Sequence, residues 1–268
     1  MRRKVRTGDG VELALVEFGG AGRPILLLHG LMGRATTWWP LAQWLTGYGR
    51  VVGLDARGHG RSGARGPWTT ERMAKDAADA LEALVAADIS RGAVVVGHSM
   101  GALHGIVLAA RRPDLVRALV VEDMAVDFRG RNAEDARAWF SALPKPFPSL
   151  AAVRQVFGTP RPEFGEYMAE CVEERADGYH LLTRVEDAVE IAAEWARADH
   201  WAALPAVRCP VLLLEAEDGV APGGQMAEMT RRLVDARHVR LPGTGHLVHA
   251  ADPAGYRAEV ERFLAGLS

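Results

Sequence analysis

The sequence predicts an α/β fold built on a mostly parallel sheet with helices on both sides. Short apolar runs rich in Val, Ile and Leu recur along the chain without polar alternation, as strands buried on both faces require. Helix-length amphipathic stretches separate them, which is the rhythm of βαβ units. That rhythm breaks in one region, between about Met124 and Trp201, where helical segments follow one another without a long strand signal.

The elements follow in chain order. Lys4–Thr7 and Val11–Phe18 flank Gly8-Asp9-Gly10, a turn signal that predicts an opening β-hairpin. The apolar runs Pro24–His29, Val51–Asp55, Ala93–His98, Ala118–Glu122 and Val211–Glu215 predict strands, with a weaker one at His238–Leu241. Thr70–Ala87 and Met100–Arg112 carry apolar residues at helical spacing. The second ends in Arg111-Arg112-Pro113, cations at the negative helix end and a residue that cannot continue the helix. In the interrupted region, Ala133–Leu143, Ser149–Phe157, Glu163–Arg175 and Val185–Ala198 read as amphipathic helices punctuated by prolines. At roughly 75 residues this stretch is long enough to form a lid. The expected organisation is a core of residues 1–123 and 202–268 interrupted by a helical cap at 124–201.

Composition sets the bounds. The 268 residues are 49% hydrophobic and 25% charged, with a formal net charge of −2. A balance so close to neutrality provides no global field for nucleic acid or an anionic membrane. Cys171 and Cys209 are the only cysteines, which excludes a disulfide framework and a cysteine-built zinc centre and points to a reducing cytoplasm. The basic start breaks into turn residues and acids without an apolar segment of a signal peptide. No apolar run approaches the ~20 residues that cross a bilayer. No cofactor or metal is called for, and the expected partner is a small-molecule substrate.

Gly97-His98-Ser99-Met100-Gly101 fits G-x-S-x-G between a strand and a helix. So abrupt a turn strains the central backbone and brings strand and helix together, so that side chains at either flank would collide. It lifts the Ser99 hydroxyl to a helix N-terminus, where peptide N–H groups favour negative charge. A hydroxyl attacks only if a base takes its proton. Of nine histidines, His246 in Gly243-Thr244-Gly245-His246 is the candidate, because it follows the last strand in a loop that reaches the sheet edge. His29 and His98 end buried strands, where a neutral imidazole bonded to backbone is the expected role. The acid that orients His246 is assigned to Asp218, in the loop after Val211–Glu215. Asp123, ending the run LVVED, is the main rival, and Glu215 and Glu217 lie nearby. Asp55 is expected to cap its own turn. The oxyanion of a tetrahedral intermediate needs two donors, assigned to the backbone N–H groups of Met100 and of Leu31 in His29-Gly30-Leu31-Met32-Gly33.

The ordered segments LLLHGLMG, DARGHGRS, VVVGHSMG, EAEDGVAP and GTGHLVHAADP resemble the α/β-hydrolase superfamily over essentially the whole chain. The resemblance implies an eight-stranded, mostly parallel sheet with a helical cap inserted after the sixth strand. By motif it implies Ser99 as nucleophile, Asp218 as acid, His246 as base, and the Leu31 and Met100 amides as oxyanion hole. Relatives that are epoxide hydrolases or haloalkane dehalogenases carry Asp at the elbow, so Ser99 departs from both. Ring-fission hydrolases commonly show Asn before the serine, and His98 departs from that.

The expected activity is therefore hydrolysis of a small or medium, mostly uncharged carboxylic ester or lactone through an acyl-enzyme. Two other readings share the fold: a cofactor-free perhydrolase, in which peroxide attacks the acyl-enzyme, and a small-molecule receptor that retains the triad. The large apolar candidates for a pocket wall are Trp38, Trp39, Trp139 and Phe140, followed by Phe147, Phe157, Tyr167 and Trp195.

Overall fold

The computed structural model describes residues 2–85, 92–130 and 133–267. The opening hairpin forms as β1 (Arg2–Arg6) and β2 (Glu12–Gly19), paired antiparallel from Arg2↔Val16 to Arg6↔Glu12. The turn between them closes where Gly10 N–H meets the Thr7 carbonyl at 2.8 Å. Next come β3 (Pro24–Leu28), α1 (Trp39–Leu45), β4 (Arg50–Leu54) and α2 (Thr70–Val85); the last two residues of the predicted Thr70–Ala87 helix lie outside the described residues. Then follow β5 (Ala93–His98), α3 (Met100–Arg111) and β6 (Val116–Glu122).

The segment after β6 contains α4 (Ala133–Ser141), α5 (Leu150–Phe157), α6 (Pro162–Ala169), a hairpin of β7 (Val172–Arg175) and β8 (Gly178–Leu181), and α7 (Val185–Trp195). The chain then returns through β9 (Val211–Asp218), α8 (Gln225–Arg232), β10 (Ala236–Gly245), α9 (Val248–Ala251) and α10 (Pro253–Ala265).

Eight strands form one sheet in the order β1-β2-β4-β3-β5-β6-β9-β10. The pairs β1–β2 and β2–β4 are antiparallel and the rest are parallel. Strand β5, which leads into Ser99, is central, flanked by β3 and β6. Every residue of β5 is buried, because successive side chains point to opposite faces and both faces are covered. Leu26, Val95, Leu119 and Leu213 pack with residues of α2 and α3 on one face. Ile25, Val94, Val96 and Leu212 pack with Leu41 of α1 and Val260 of α10 on the other.

The inserted segment differs from its expected form at one place. Glu163–Arg175 reads as a single amphipathic stretch, yet it divides into α6 and β7, and the chain folds back into β8. The strands are only four residues each and mostly polar, too short to register as period-two alternation. Pairing creates them: Val172 opposes Leu181, and Tyr179 exchanges both backbone hydrogen bonds with Phe147 at 2.8 and 2.9 Å. Elsewhere local chemistry sets the boundaries. Ser149 caps α5 by accepting the Ala152 N–H at 3.1 Å. A cluster of Phe147, Phe157, Tyr167 and Met168 packs on Met32 and Leu247, which seats this segment against the loops at the C-terminal ends of β3 and β10.

Candidate active site

Ser99 occupies the turn between β5 and α3 with φ +51° and ψ −122°, a region that L-residues avoid. Both flanking glycines are sterically required. A Cβ on Gly97 would lie 2.6 Å from the Ala102 backbone, and one on Gly101 would lie 2.2 Å from the Leu28 carbonyl oxygen. Among the described residues, the other non-glycine residues with positive φ are Met32 and Asp123. Strain is thus confined to three residues at the ends of neighbouring strands, all around one site.

His246 directly follows β10. Its Nδ1–H donates to Oδ2 of Asp123 at 2.6 Å, so Nε2 is the basic nitrogen of the neutral ring. The Asp123 side chain has no exposure and that of His246 is a quarter exposed. Asp123 also accepts the N–H of Val220 at 3.0 Å and of Ala216 at 3.3 Å. Burial pushes its carboxyl pKa up, but the hydrogen bonds from His246 and the two amides outweigh that and hold it below the usual carboxylate range. Gly219 lies against it: a Cβ there would come 2.1 Å from Asp123 Oδ1.

Asp218, the acid expected from the sequence, does not reach His246. Its side chain is 79% exposed and pairs with Arg161 Nη2 at 3.2 Å. The reason is strand length. β9 continues three residues beyond the predicted Val211–Glu215, and Asp218 becomes a paired strand residue opposite Gly245. β6 instead ends at Glu122, next to β5, so Asp123 is the first residue free to turn toward the imidazole. The signal was present in LVVED, a strand that stops at its first acids.

The remaining expected residues lie as follows. Leu31 lines the same cavity as Ser99 and His246, while Met100 opens α3. Neither backbone N–H is hydrogen-bonded among the described residues. Asp55 accepts the N–H groups of Ala35 at 2.6 Å and Arg61 at 2.9 Å, so it caps its loop. His29 is buried and bonded to backbone on both nitrogens, with Nδ1–H to Gly30 O at 2.7 Å and Ala56 N–H to Nε2 at 3.0 Å. Burial lowers its pKa to about 4. His98 is buried too, and its Nε2–H donates to the His246 carbonyl at 2.9 Å. Burial first, and the neighbouring His246 second, lower its pKa to about 3.

The cavity holds about 310 Å³. Of the aromatic candidates, Trp139, Phe140, Tyr167 and Trp195 line it. Trp38, Phe147 and Phe157 are buried in packing, and Trp39 is exposed against Phe18. Met124, Phe128 and Phe164 also contribute to the wall, which the sequence reading did not single out. No Lys, Arg, Asp or Glu side chain is part of the described lining. Among the described residues, no three His, Cys, Asp or Glu side chains are grouped so as to hold a metal ion. No helix there is long and apolar enough to cross a membrane.

Residues 25–259 match the profile of the Alpha/beta hydrolase family. The chain is 31% identical over 265 residues to N-formylmaleamate deformylase of Pseudomonas putida, covering 96% of this chain and 94% of that protein. It is 27% identical over 256 residues to Esterase YbfF of Escherichia coli, covering 90% and 92%. The crystal structure of E-2-(acetamidomethylene)succinate hydrolase superposes with a TM-score of 0.88 over 99% of both chains at 24% identity, a likeness of fold. A parallel sheet of this strand order, an elbow serine, a buried acid–imidazole pair and a family match across most of the sequence converge on one conclusion: the chain belongs to the alpha/beta hydrolase family and is a hydrolase.

Proposed function

We propose that this chain hydrolyses small to medium, mostly uncharged carboxylic esters or lactones through an acyl-enzyme on Ser99. The observation that carries the proposal is the 2.6 Å bond between His246 and buried Asp123 beside the cavity that Ser99 lines. Held with its proton on Nδ1, His246 uses Nε2 to take the Ser99 hydroxyl proton as the oxygen attacks the ester carbonyl. The carbonyl oxygen becomes an alkoxide, met by the Leu31 and Met100 N–H groups. Collapse expels the alcohol, which receives the proton from His246. Water, deprotonated by the same nitrogen, then cleaves the acyl-enzyme and releases the acid. Asp123 stabilises the imidazolium that each half-reaction creates.

The apolar wall supports an uncharged acyl group, since a carboxylate there would lose hydration without a cation to replace it. N-formylmaleamate is itself a carboxylate, so the 31% identity to its deformylase carries over the hydrolytic machinery and not that substrate. A fluorophosphonate is expected to modify Ser99 and stop hydrolysis of short p-nitrophenyl esters, with Ser99→Ala inactive. A panel running from acetate to octanoate esters, with lactones and a dicarboxylate monoester added, reads the pocket. Full activity in Ser99→Ala, or a clear preference for the dicarboxylate monoester, contradicts the proposal.

A further inference from the structure

Two carboxylates end β6 side by side, and only Asp123 belongs to the pair described above. Glu122 has no exposure and follows the apolar run Ala118–Val121. A charge in such surroundings is disfavoured unless donors replace its hydration. Here His249 supplies donors from both its ring and its backbone. His249 donates Nδ1–H to the carboxylate at 2.7 and 2.9 Å, and its backbone N–H donates to Oε1 at 3.0 Å. Burial pushes the Glu122 carboxyl up, but His249 and His98 outweigh it and hold the group below the usual carboxylate range. The contacts therefore suit an anion.

Location gives this couple its meaning. His249 lies three residues after His246, in the first turn of α9. The N-cap residue there, Leu247, offers no side-chain cap. Glu122 supplies the missing acceptor from across the sheet. On its backbone side, the Glu122 carbonyl accepts the Ser99 N–H at 2.9 Å. One residue thus touches both the elbow and the turn that carries the imidazole. The His249 ring is boxed by Trp38, His98 and Tyr256 at centroid distances of 4.7, 5.7 and 5.9 Å. Neither Glu122 nor His249 lines the cavity, so neither meets substrate.

We propose that Glu122, acting through His249, is a positioning residue that sets the His246 turn relative to the Ser99 elbow, a second acid–imidazole couple parallel to Asp123–His246. The proposal rests on the roles given above to Ser99 and His246. Burial argues for it: a buried charged group held by a polar partner is weak evidence for stability, and fixing register is the best-attested use of such a pairing.

The test compares His249→Leu, which loses the donor, with His249→Asn, whose amide N–H lies where Nδ1–H does, together with Glu122→Gln. Folding is checked by circular dichroism and melting temperature. If His249→Leu does not fold, His249→Gln takes its place. The expected result with p-nitrophenyl butyrate is a kcat about 10- to 100-fold lower in His249→Leu at near-constant KM. Glu122→Gln is expected to lose about 10-fold, and His249→Asn to stay within about threefold of the native chain. Fluorophosphonate labelling rates should follow the same order. The low-field proton resonance of His246 Nδ1–H, which needs no turnover, should shift or broaden in His249→Leu and persist in His249→Asn. Folded His249→Leu with native kcat, or a resonance unchanged in both variants, overturns the proposal. A native chain that fluorophosphonate leaves unlabelled refutes instead the role of Ser99, and the resonance still decides that of Glu122.

Discussion

At the scale of single residues, the outcome turns on which of two aspartates meets the imidazole. Asp218 and Asp123 both follow apolar strands, but one is exposed against Arg161 and the other is buried against His246. Asparagine at position 123 would keep the shape, remove the charge and present an amide N–H to the ring, which favours the wrong tautomer. We expect Asp123→Asn to lower kcat by roughly 10³- to 10⁴-fold, the scale seen when an acid is neutralised in a serine protease triad. Asp218→Asn should remain within about threefold, because an exposed ion pair contributes little. Initial rates on a short p-nitrophenyl ester separate the two. Equal losses in both variants would mean that Asp218 reaches the ring during turnover.

At the scale of elements, the elbow depends on close packing of β3, β5 and α3. The Leu28 carbonyl comes so near Gly101 that an added methyl group would lie 2.2 Å from the oxygen, while Gly223 has open space around it. The oxygen is backbone and cannot swing aside, so β3 and α3 must separate. Gly101→Ala is expected to destabilise by about 1–3 kcal/mol or more, and Gly223→Ala to stay within about 0.5 kcal/mol. Urea denaturation midpoints check both. A native midpoint for Gly101→Ala would show that the elbow is looser than its contacts imply. The β7–β8 hairpin belongs to this scale as well. Its strands exist through mutual pairing and the bridge to Phe147, and nothing in V-E-E-R alone requires a strand.

At the scale of the whole molecule, four histidines are buried in the folded state. Burial is the leading cause that lowers the pKa of His29 to about 4 and those of His59, His98 and His104 to about 3. In the unfolded chain each returns to about 6.5. Below pH 6.5 the unfolded state therefore binds more protons, and stability falls as the pH falls toward 4. Each histidine contributes about 1.4 kcal/mol per pH unit to that slope at most. The melting temperature should drop steeply between pH 6.5 and 4. His104→Leu should flatten the decline by about one proton's share. A melting temperature independent of pH over that range would show that these imidazoles remain accessible to protons in the fold.

The strands, the tight turn at Ser99 and the placement of His246 after the last strand were legible in the sequence because each rests on local rules. Unalternating apolar runs mark buried strands, two glycines around Ser99 mark a strand–helix turn too tight for side chains, and His246 follows the last strand. Which carboxylate meets His246 was not legible in this way. Whether a carboxylate leaves a strand or stays paired within it depends on how far the neighbouring strand extends, and β10 carries β9 as far as Asp218. The hairpin within the insertion, the aromatic wall and the Glu122–His249 couple share this dependence. Each joins residues distant in the chain through contacts that form only when the sheet closes, and sequence periodicity carries no information about partners at that distance.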